Sequence, residues 1–553
     1  MKKFLALCLA AALVAPGCVK VDNSLGEGLV DKSLLLDTYM VEFPITDITM
    51  KPSSALSAFS SSRLTIGAIR DETFGLTTRE AAFPLIPALD EIDLGDNPVA
   101  KSFDLFFSID TVSMADDTQE RIMQNVYVYE LADTIPSSVT PVDKEMPHYT
   151  QLITKGIPVI NGSAGLNIMF TQEYAQKYVD VIQELGPVLI NRNEDNPVDK
   201  YKDFVRALPG IYLSTDLPEG NGGRINLFNF SCLSVVNSYY QRNNNVGLLT
   251  VHSTWDGIQK DSTFMFIPGE TEFVQEETYL EQNTAFTQYS LNTCGHSTRQ
   301  QKAENTILVE GGGGLKPVIS ALELQTKTRN AILEKGGDPA KASIISASII
   351  LPFDMPENYL DLDRFPSVLS PTVRTTVTRN GKEEFSFAGL ADASASSEDQ
   401  GDIDRSNLMY SPDITYHMQE VLHPGTGDFA LTQEALERGL ADIWLLTIHT
   451  DKVANASGQT AEQSAYYQNL MYASYYNSLY GGGYGYGGGY NSYSNYYSYM
   501  MMAQMMAAQQ QQTYSYTTEL DKDRYYKAVM RGPLTQHKDG GPRFQVVFTL
   551  PKD

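Results

Sequence analysis

Few residues of this chain combine the types and spacings that chemistry needs. The run "YHMQEVLHPG" holds His417, Glu420 and His423. A zincin helix sets its histidines four apart on one face with the glutamate beside the first, which this run does not do. On a strand the two histidines would share a face about 20 Å apart, too far for one metal. They read as ordinary half-buried or surface histidines. "SSEDQGDIDRSN" places Glu398, Asp399, Asp402 and Asp404 in a small-residue loop. Loop carboxylates can hold calcium, so Asp399, Asp402 and Asp404 are calcium candidates, although no twelve-residue EF-hand pattern is present and a solvated acidic loop is the better reading. "ALDEIDLGDNP", with Asp90, Glu91, Asp93 and Asp96, reads the same way. "VEGGGGLKP" lacks the Gly-Lys-Ser/Thr ending of a phosphate loop. Its glycines, 311 to 314, are expected to let two backbones approach or to form a bulge.

Nucleophiles are equally sparse. No Gly-x-Ser-x-Gly elbow occurs, and the basic setting of Cys232 and Cys294 is limited to His296, two residues from Cys294. Trp255, after "VHST", is a candidate platform for a sugar ring, whereas Trp444 in "LADIWLLTIHTD" reads as core. A carboxylate pair for glycoside hydrolysis is defined by distance in space and leaves no spacing to read. The sequence therefore names no catalytic residue and no metal set.

The N-terminus is more explicit. "MKKFLALCLAAALVAPGC" has two lysines, a short apolar run, then small residues leading to Cys18, the layout of a secretion signal too short to remain as a membrane span. "VAPGC" resembles a bacterial lipobox, with Gly17 before the cleaved bond and Cys18 as the lipidated first residue; several acyl chains give durable anchoring. Once Cys8 leaves with the signal, Cys18, Cys232 and Cys294 remain. Lipidating Cys18 resolves that odd number and leaves Cys232 and Cys294 as a candidate disulfide in an oxidising compartment, though nothing in the sequence brings them together. The formal net charge of −26 and the lack of a basic cluster argue against nucleic acid as a partner.

At 553 residues the chain calls for two or more domains. After a tether over 18–33, strand-like segments dominate: "LLLDTYMVEFPITDITM", "AKSFDLFFSIDTVS", "QNVYVYELAD", "GRINLFNFSCLSVVNSYYQR", "VGLLTVHSTW", "SIISASIILPF" and "LADIWLLTIHTD". The expected fold is mainly β: two β-sandwich, jelly-roll-like units over 34–207 and 208–553 with a few packing helices. One helix is expected in "TQEYAQKYVDVIQEL", with Tyr174, Tyr178, Ile182 and Leu185 at helical spacing, Thr171 as cap and Gly186–Pro187 as stop. Another follows a Ser320 to Glu323 capping box and stops at Gly336 and Gly337. The Tyr/Gly/Met/Gln-rich stretch at about 456–518 is expected to be an insertion between strands. Thr460 and Gln463 suit a helical start and Gly481 to Gly489 a turn between two helical arms, with plain disorder as the alternative.

Several soft motifs in order carry a family resemblance: "LTIGAIRDETFGLTTREAAFPLI" with its Phe74–Gly75 turn, "VYVYEL" at 126 to 131, "LPGIYLSTD" from Leu208, "VEGGGGLKPVISAL" from Val309, "SASIILPF" before Asp354, and the closing "RFQVVFTLPKD". The chain resembles the Bacteroidota lipoprotein family catalogued as domain-of-unknown-function 4270. That resemblance implies an exported, outer-membrane lipoprotein with a β-rich body and no catalytic residues. Acidic residues just after the lipidated cysteine often mark surface display in this phylum; here Asp22 stands near Cys18 with Lys20 between, and the face of the membrane stays open. The resulting expectation is a non-catalytic lipoprotein, joined to the membrane through its lipid and serving as a subunit or scaffold of an envelope complex. A glycan-binding module of a nutrient-uptake system is the alternative, and a hydrolase the third reading.

Overall fold

The computed structural model describes most of residues 36–551; its breaks of more than five residues are 192–197, 275–284, 393–400 and 455–513, with shorter ones such as 230–232. Strand accounts for 50% and helix for 17%, so the fold is mainly β, built of several antiparallel sheets with few helices.

Four larger sheets carry the architecture. In the first, His148–Leu152, Gln124–Leu131, Ile211–Thr215, Gly75–Phe83, Arg63–Asp71, Gly222–Asn229 and Ile109–Met114 lie in that order, and Ser290–His296 joins along Gly75–Phe83. The second runs Leu166–Met169, Asp96–Phe107, Gly247–Trp255, Ile258–Pro268 and Leu85–Pro87. Its central hairpin turns on Asp256 and Gly257, both at positive φ (53° and 78°), the requirement of a tight type I′ turn that an Asp-Gly pair meets. The third contains Gln301–Lys302, Ile48–Pro52, Leu315–Ile319, Ile443–Ala454, Val368–Arg379 and Lys382–Gly389, and the fourth Leu36–Pro44, Arg543–Pro551, Ser343–Pro352, Met409–Tyr410 and Ile403–Asp404.

Alternation along the strands stacks these sheets, because successive side chains point to opposite faces. Ala81 and Phe83 enter the core shared with the second sheet, while Ala82 between them enters a different core. In the third sheet Ile443 and Leu445 face the core shared with the fourth, and Trp444 and Leu446 face the core that also holds Ala82, Leu291 and Cys294. Two sandwiches thus meet along an apolar seam, and strands buried on both faces read as the near-continuous hydrophobic run "IWLL". Phe74 crosses the division, leaving the Gly75–Phe83 region to pack in the core of the other sandwich.

The sheets do not divide at 207/208. Ile211–Thr215, Gly222–Asn229 and Gly247–Trp255 complete the first two sheets, whereas Leu36–Pro44 and Ile48–Pro52 belong to the last two. Local pattern identifies strands, but which strands pair is set by contacts far apart in the chain.

The two expected helices are present. Thr171 Oγ1 caps Gln172–Leu185, Tyr174, Tyr178 and Ile182 are buried, and Gly186 (φ +83°) ends it. Ser320 Oγ accepts from Glu323 N at the start of Ala321–Glu334. The Glu323 carboxylate is turned to the neighbouring strand connection, accepting from Thr46 N at 2.9 Å and Asp47 N at 2.8 Å.

The late insertion is a hairpin connection: Ile448–Ala454 pairs with Tyr514–Leu520 in register. The return strand therefore begins at Tyr514, inside the span first assigned to the insertion, and the connection covers 455–513. The helical arms expected there lie outside the described residues.

Candidate functional site

The most chemically loaded cluster is assembled by one antiparallel pairing. Cys294 and His296 share a face of Ser290–His296 because they are two apart, and the register sets Cys294 opposite Arg79 and His296 opposite Thr77. Arg79 Nη1 donates to Cys294 Sγ, and His296 Nε2 lies 2.7 Å from the same sulfur. On the other side of the ring, His296 Nδ1 is 3.3 Å from Glu310 Oε1. Glu310 ends the strand Thr306–Glu310, and its Oε2 also accepts from Thr298 Oγ1 at 2.5 Å and Leu315 N at 2.9 Å.

Two glycines of the run 311–314 close this cluster, Gly312 and Gly314. A Cβ at Gly312 (φ +56°) would lie 2.6 Å from Arg79 Nη2 and 2.8 Å from Cys294 Sγ, and one at Gly314 would lie 2.8 Å from His296 Cε1. Gly311 and Gly313 are as tightly set against Arg524 O and Val142 Cγ2. The expected close approach of backbones is what the run provides. The turn is fastened by Lys316, fully buried, whose ammonium donates to the carbonyls of Glu310, Gly312 and Gly314, and by Ser53 Oγ on the last two of these.

The electrostatics follow from this enclosure. Burial pushes the Cys294 thiol up, but the Arg79 guanidinium and then His296 outweigh it and bring it down to about 7. Burial pulls His296 down, yet the facing sulfur and Glu310 leave it above its ordinary value. Glu310 is lowered against its own burial by His296 and its other donors. The charge pattern holds a thiolate beside an imidazolium, a nucleophile with its base and an orienting carboxylate.

A third fully buried cation, beside Arg79 and Lys316, gives scale. Arg224 directs Nε to Asn226 Oδ1, Nη1 to the carbonyls of Glu120 and Ile122, and Nη2 to that of Ile160. Arg79, 1% exposed, has no hydrogen-bond partner for Nε or Nη2 among the described residues. Access separates the cluster from an open hydrolase site: Cys294 is 3% exposed, and the glycine backbone occupies the place above Sγ where a scissile carbonyl would sit.

No family model, curated protein or solved structure matches this chain. The site rests on its own geometry.

The residues singled out from sequence fall elsewhere. Cys18, Cys232 and Asp399 lie outside the described residues, and the Cys232–Cys294 pairing lies outside with them; Cys294 itself is a free, buried thiol. Asp402 and Asp404 border a surface depression with Gly401, Arg405 and Ser411. Asp404 is engaged by its own loop, accepting from the backbone N–H groups of Ser406 and Asn407 at 2.9 Å each and from Asn407 Nδ2 at 2.7 Å. Among the described residues no three His, Cys, Asp or Glu side chains stand close enough to hold a metal. Trp255 is not a bare platform: Gly95 packs against its Cε2 and Nε1, Lys260 Nζ stands 4.8 Å from the ring centroid, and Nε1 donates to Ser253 Oγ. Trp444 is in the seam core, edge-on to Phe387.

His417 and His423 belong to a helical segment instead of a strand. Thr415–Leu422 is capped from a distance by Asp392, which accepts from Tyr416 N at 2.6 Å and His417 N at 3.1 Å. His417 Nε2 is 2.9 Å from Ala441 O and His423 Nε2 is 2.8 Å from Ala342 O, so both tie elements together. His417 is fully enclosed, and burial brings it down to about 4. Sequence reasoning saw the Cys294–His296 spacing but missed Arg79 and Glu310, which lie on other strands; the glycine run was the available signal that something packs unusually close.

Proposed function

We propose that the chain is an exported lipoprotein, anchored through Cys18 and acting without catalysis as a subunit or scaffold of an envelope protein complex. The observation that carries this reading is the pairing of Ile448–Ala454 with Tyr514–Leu520. It makes the Tyr/Gly/Met/Gln-rich stretch an insertion held at both ends by one sheet. Met and Tyr side chains adapt to varied surfaces, and a loop carried on a rigid scaffold is a common place for recognition. The lipobox-like "VAPGC" and the 18–33 tether supply the attachment, and membership of the lipoprotein family named above is part of the same proposal. Enclosure of the Cys294 cluster supports a role that needs no substrate to reach it.

The test is crosslinking in native membranes followed by gentle solubilisation, with the full chain and a version lacking 456–512 compared side by side. This deletion spares the return strand from Tyr514. The shortened chain is expected to fold and to lose its crosslinked protein; undiminished capture by the shortened chain, or recovery of the full chain alone, overturns the reading. A Cys18→Ser chain is expected to leave the membrane fraction.

A further inference from the structure

We propose that Cys294 is an oxidation site for small peroxides, its thiol being converted by hydrogen peroxide to a sulfenic acid within the Arg79–His296–Glu310 cluster. Three observations converge on it. The sulfur receives a hydrogen bond from a buried guanidinium and faces an imidazole whose far nitrogen is oriented by Glu310. Among the described residues Arg79 Nε–H and Nη2–H have no partner, although Arg79 is 1% exposed. Nη2 and Sγ also lie side by side under Gly312, whose Cβ position is 2.6 Å from the first and 2.8 Å from the second. An oxygen bound to the sulfur on the Arg79 side, seated as the Gly312 backbone gives way, gains the donor that Arg79 has to offer, which removes the cost of a buried polar group left unpaired.

The step balances within the cluster and its oxidant. The Cys294 thiolate attacks one oxygen of hydrogen peroxide, the S–O bond forming as the O–O bond breaks. The departing hydroxide takes the proton held at His296 Nε2 and leaves as water. Sulfur is oxidised by two electrons, the peroxide is reduced, and His296 is left neutral, its other nitrogen still facing Glu310. Size selection comes from the cover: the Gly312 backbone is set on Sγ and Cys294 is 3% exposed, so a reagent reaches the sulfur only as that cover moves. Hydrogen peroxide needs the smallest displacement and a bulky alkyl hydroperoxide a larger one. Redox-sensitive cysteines are ordinarily accessible as well as ionised, and burial alone would protect this one, so the two effects predict opposite signs.

The experiment uses that opposition. The mature chain, native or unfolded in urea, is treated with hydrogen peroxide at neutral pH; sulfenic acid is trapped with a 1,3-dicarbonyl reagent and read at the Cys294 peptide by mass spectrometry, with the Cys232 peptide of the same chain as reference. Native Cys294 is expected to react at least roughly fivefold faster than the unfolded thiol, the gain in thiolate being partly offset by lower nucleophilicity. Cumene hydroperoxide is expected to lose that advantage. Arg79→Met should bring the rate to that of the unfolded thiol or below it. A native rate at or below the unfolded one, or equal native rates for the two peroxides, overturns the proposal; both comparisons need only the natural chain, so a variant that fails to fold leaves the test intact.

Discussion

Gly312→Ala isolates how tightly the glycine cover is set. Two penalties add there. Holding alanine at φ +56° costs about 1–2 kcal/mol. Its Cβ would also stand 2.6 Å from Arg79 Nη2 and 2.8 Å from Cys294 Sγ; both groups are buried and bonded to each other, so neither can retreat alone. Forcing a methyl into a packed interior costs a further ~1–3 kcal/mol, for an expected loss of about 2–5 kcal/mol. Gly257→Ala is the matched control, since Gly257 has φ +78° with nothing among the described residues within 4 Å of its Cβ position, and it should lose only the backbone part, ~1–2 kcal/mol. Urea unfolding followed by tryptophan fluorescence suits the comparison, because Trp444 lies in the seam core with Cys294. A Trp255→Phe background leaves that one reporter. If Gly312→Ala destabilises no more than Gly257→Ala, the cover is loose and the close-approach reasoning fails.

Three further outcomes test the buried charges. The Cys294 thiol, lowered to about 7 by Arg79 and His296 against its burial, contributes stability that is full above the unfolded thiol range of ~8.5 and lost as pH falls through about 7. His296, raised, contributes below its unfolded value and loses that contribution as pH rises through its folded one. The stability gap between the natural chain and Cys294→Ser should therefore widen from about pH 7 to ~8.5; a flat gap in denaturation curves argues against the thiolate. Tyr212 donates to Glu80, whose carboxyl is raised by burial. Tyr212→Phe should push it higher and cost ~1–3 kcal/mol, more above neutral pH than in acid, where Glu80 is already protonated; equal losses at both would show that the hydroxyl does not matter to the charge. Lys316→Met strips the carbonyls of Glu310, Gly312 and Gly314 of their ammonium donor and should lose about 2–5 kcal/mol in thermal unfolding; a loss close to that of Ser53→Ala would contradict the clamp.

Local features were legible and pairings were not. Thr171 and Ser320 announce helix starts because capping is a matter of one side chain and the next turn. The glycine run announced close packing because few other reasons place four glycines together. The run "IWLL" announced a strand but not that it faces two cores, since an apolar run carries no label for either side. Arg79 and Glu310 could not be attached to Cys294 from sequence. Their approach depends on the register of one strand pair and the return of another, and a one-residue slip would turn Arg79 to the opposite face. The short helix Thr415–Leu422 was missed for a related reason: Ile414 at its N-cap offers no side-chain bond, and beyond Thr415 N, which donates to Asp413 Oδ1, the N–H groups of Tyr416 and His417 are satisfied by Asp392 from a separate segment.

Among the described residues the strand Leu36–Pro44 has one hydrogen-bonded neighbour in its sheet, and that neighbour is Arg543–Pro551, which joins it to Ser343–Pro352. Among the described strands, the first in chain order thus pairs with the last. Without Arg543–Pro551, Leu36–Pro44 keeps no partner in the described sheet and is cut off from Ser343–Pro352. A chain truncated near its end leaves both Leu36–Pro44 and Ser343–Pro352 with bare edges, the kind of surface that proteolysis and aggregation find first. The fourth sheet therefore joins segments far apart in the chain, and a cut that removes one of them unseats the others.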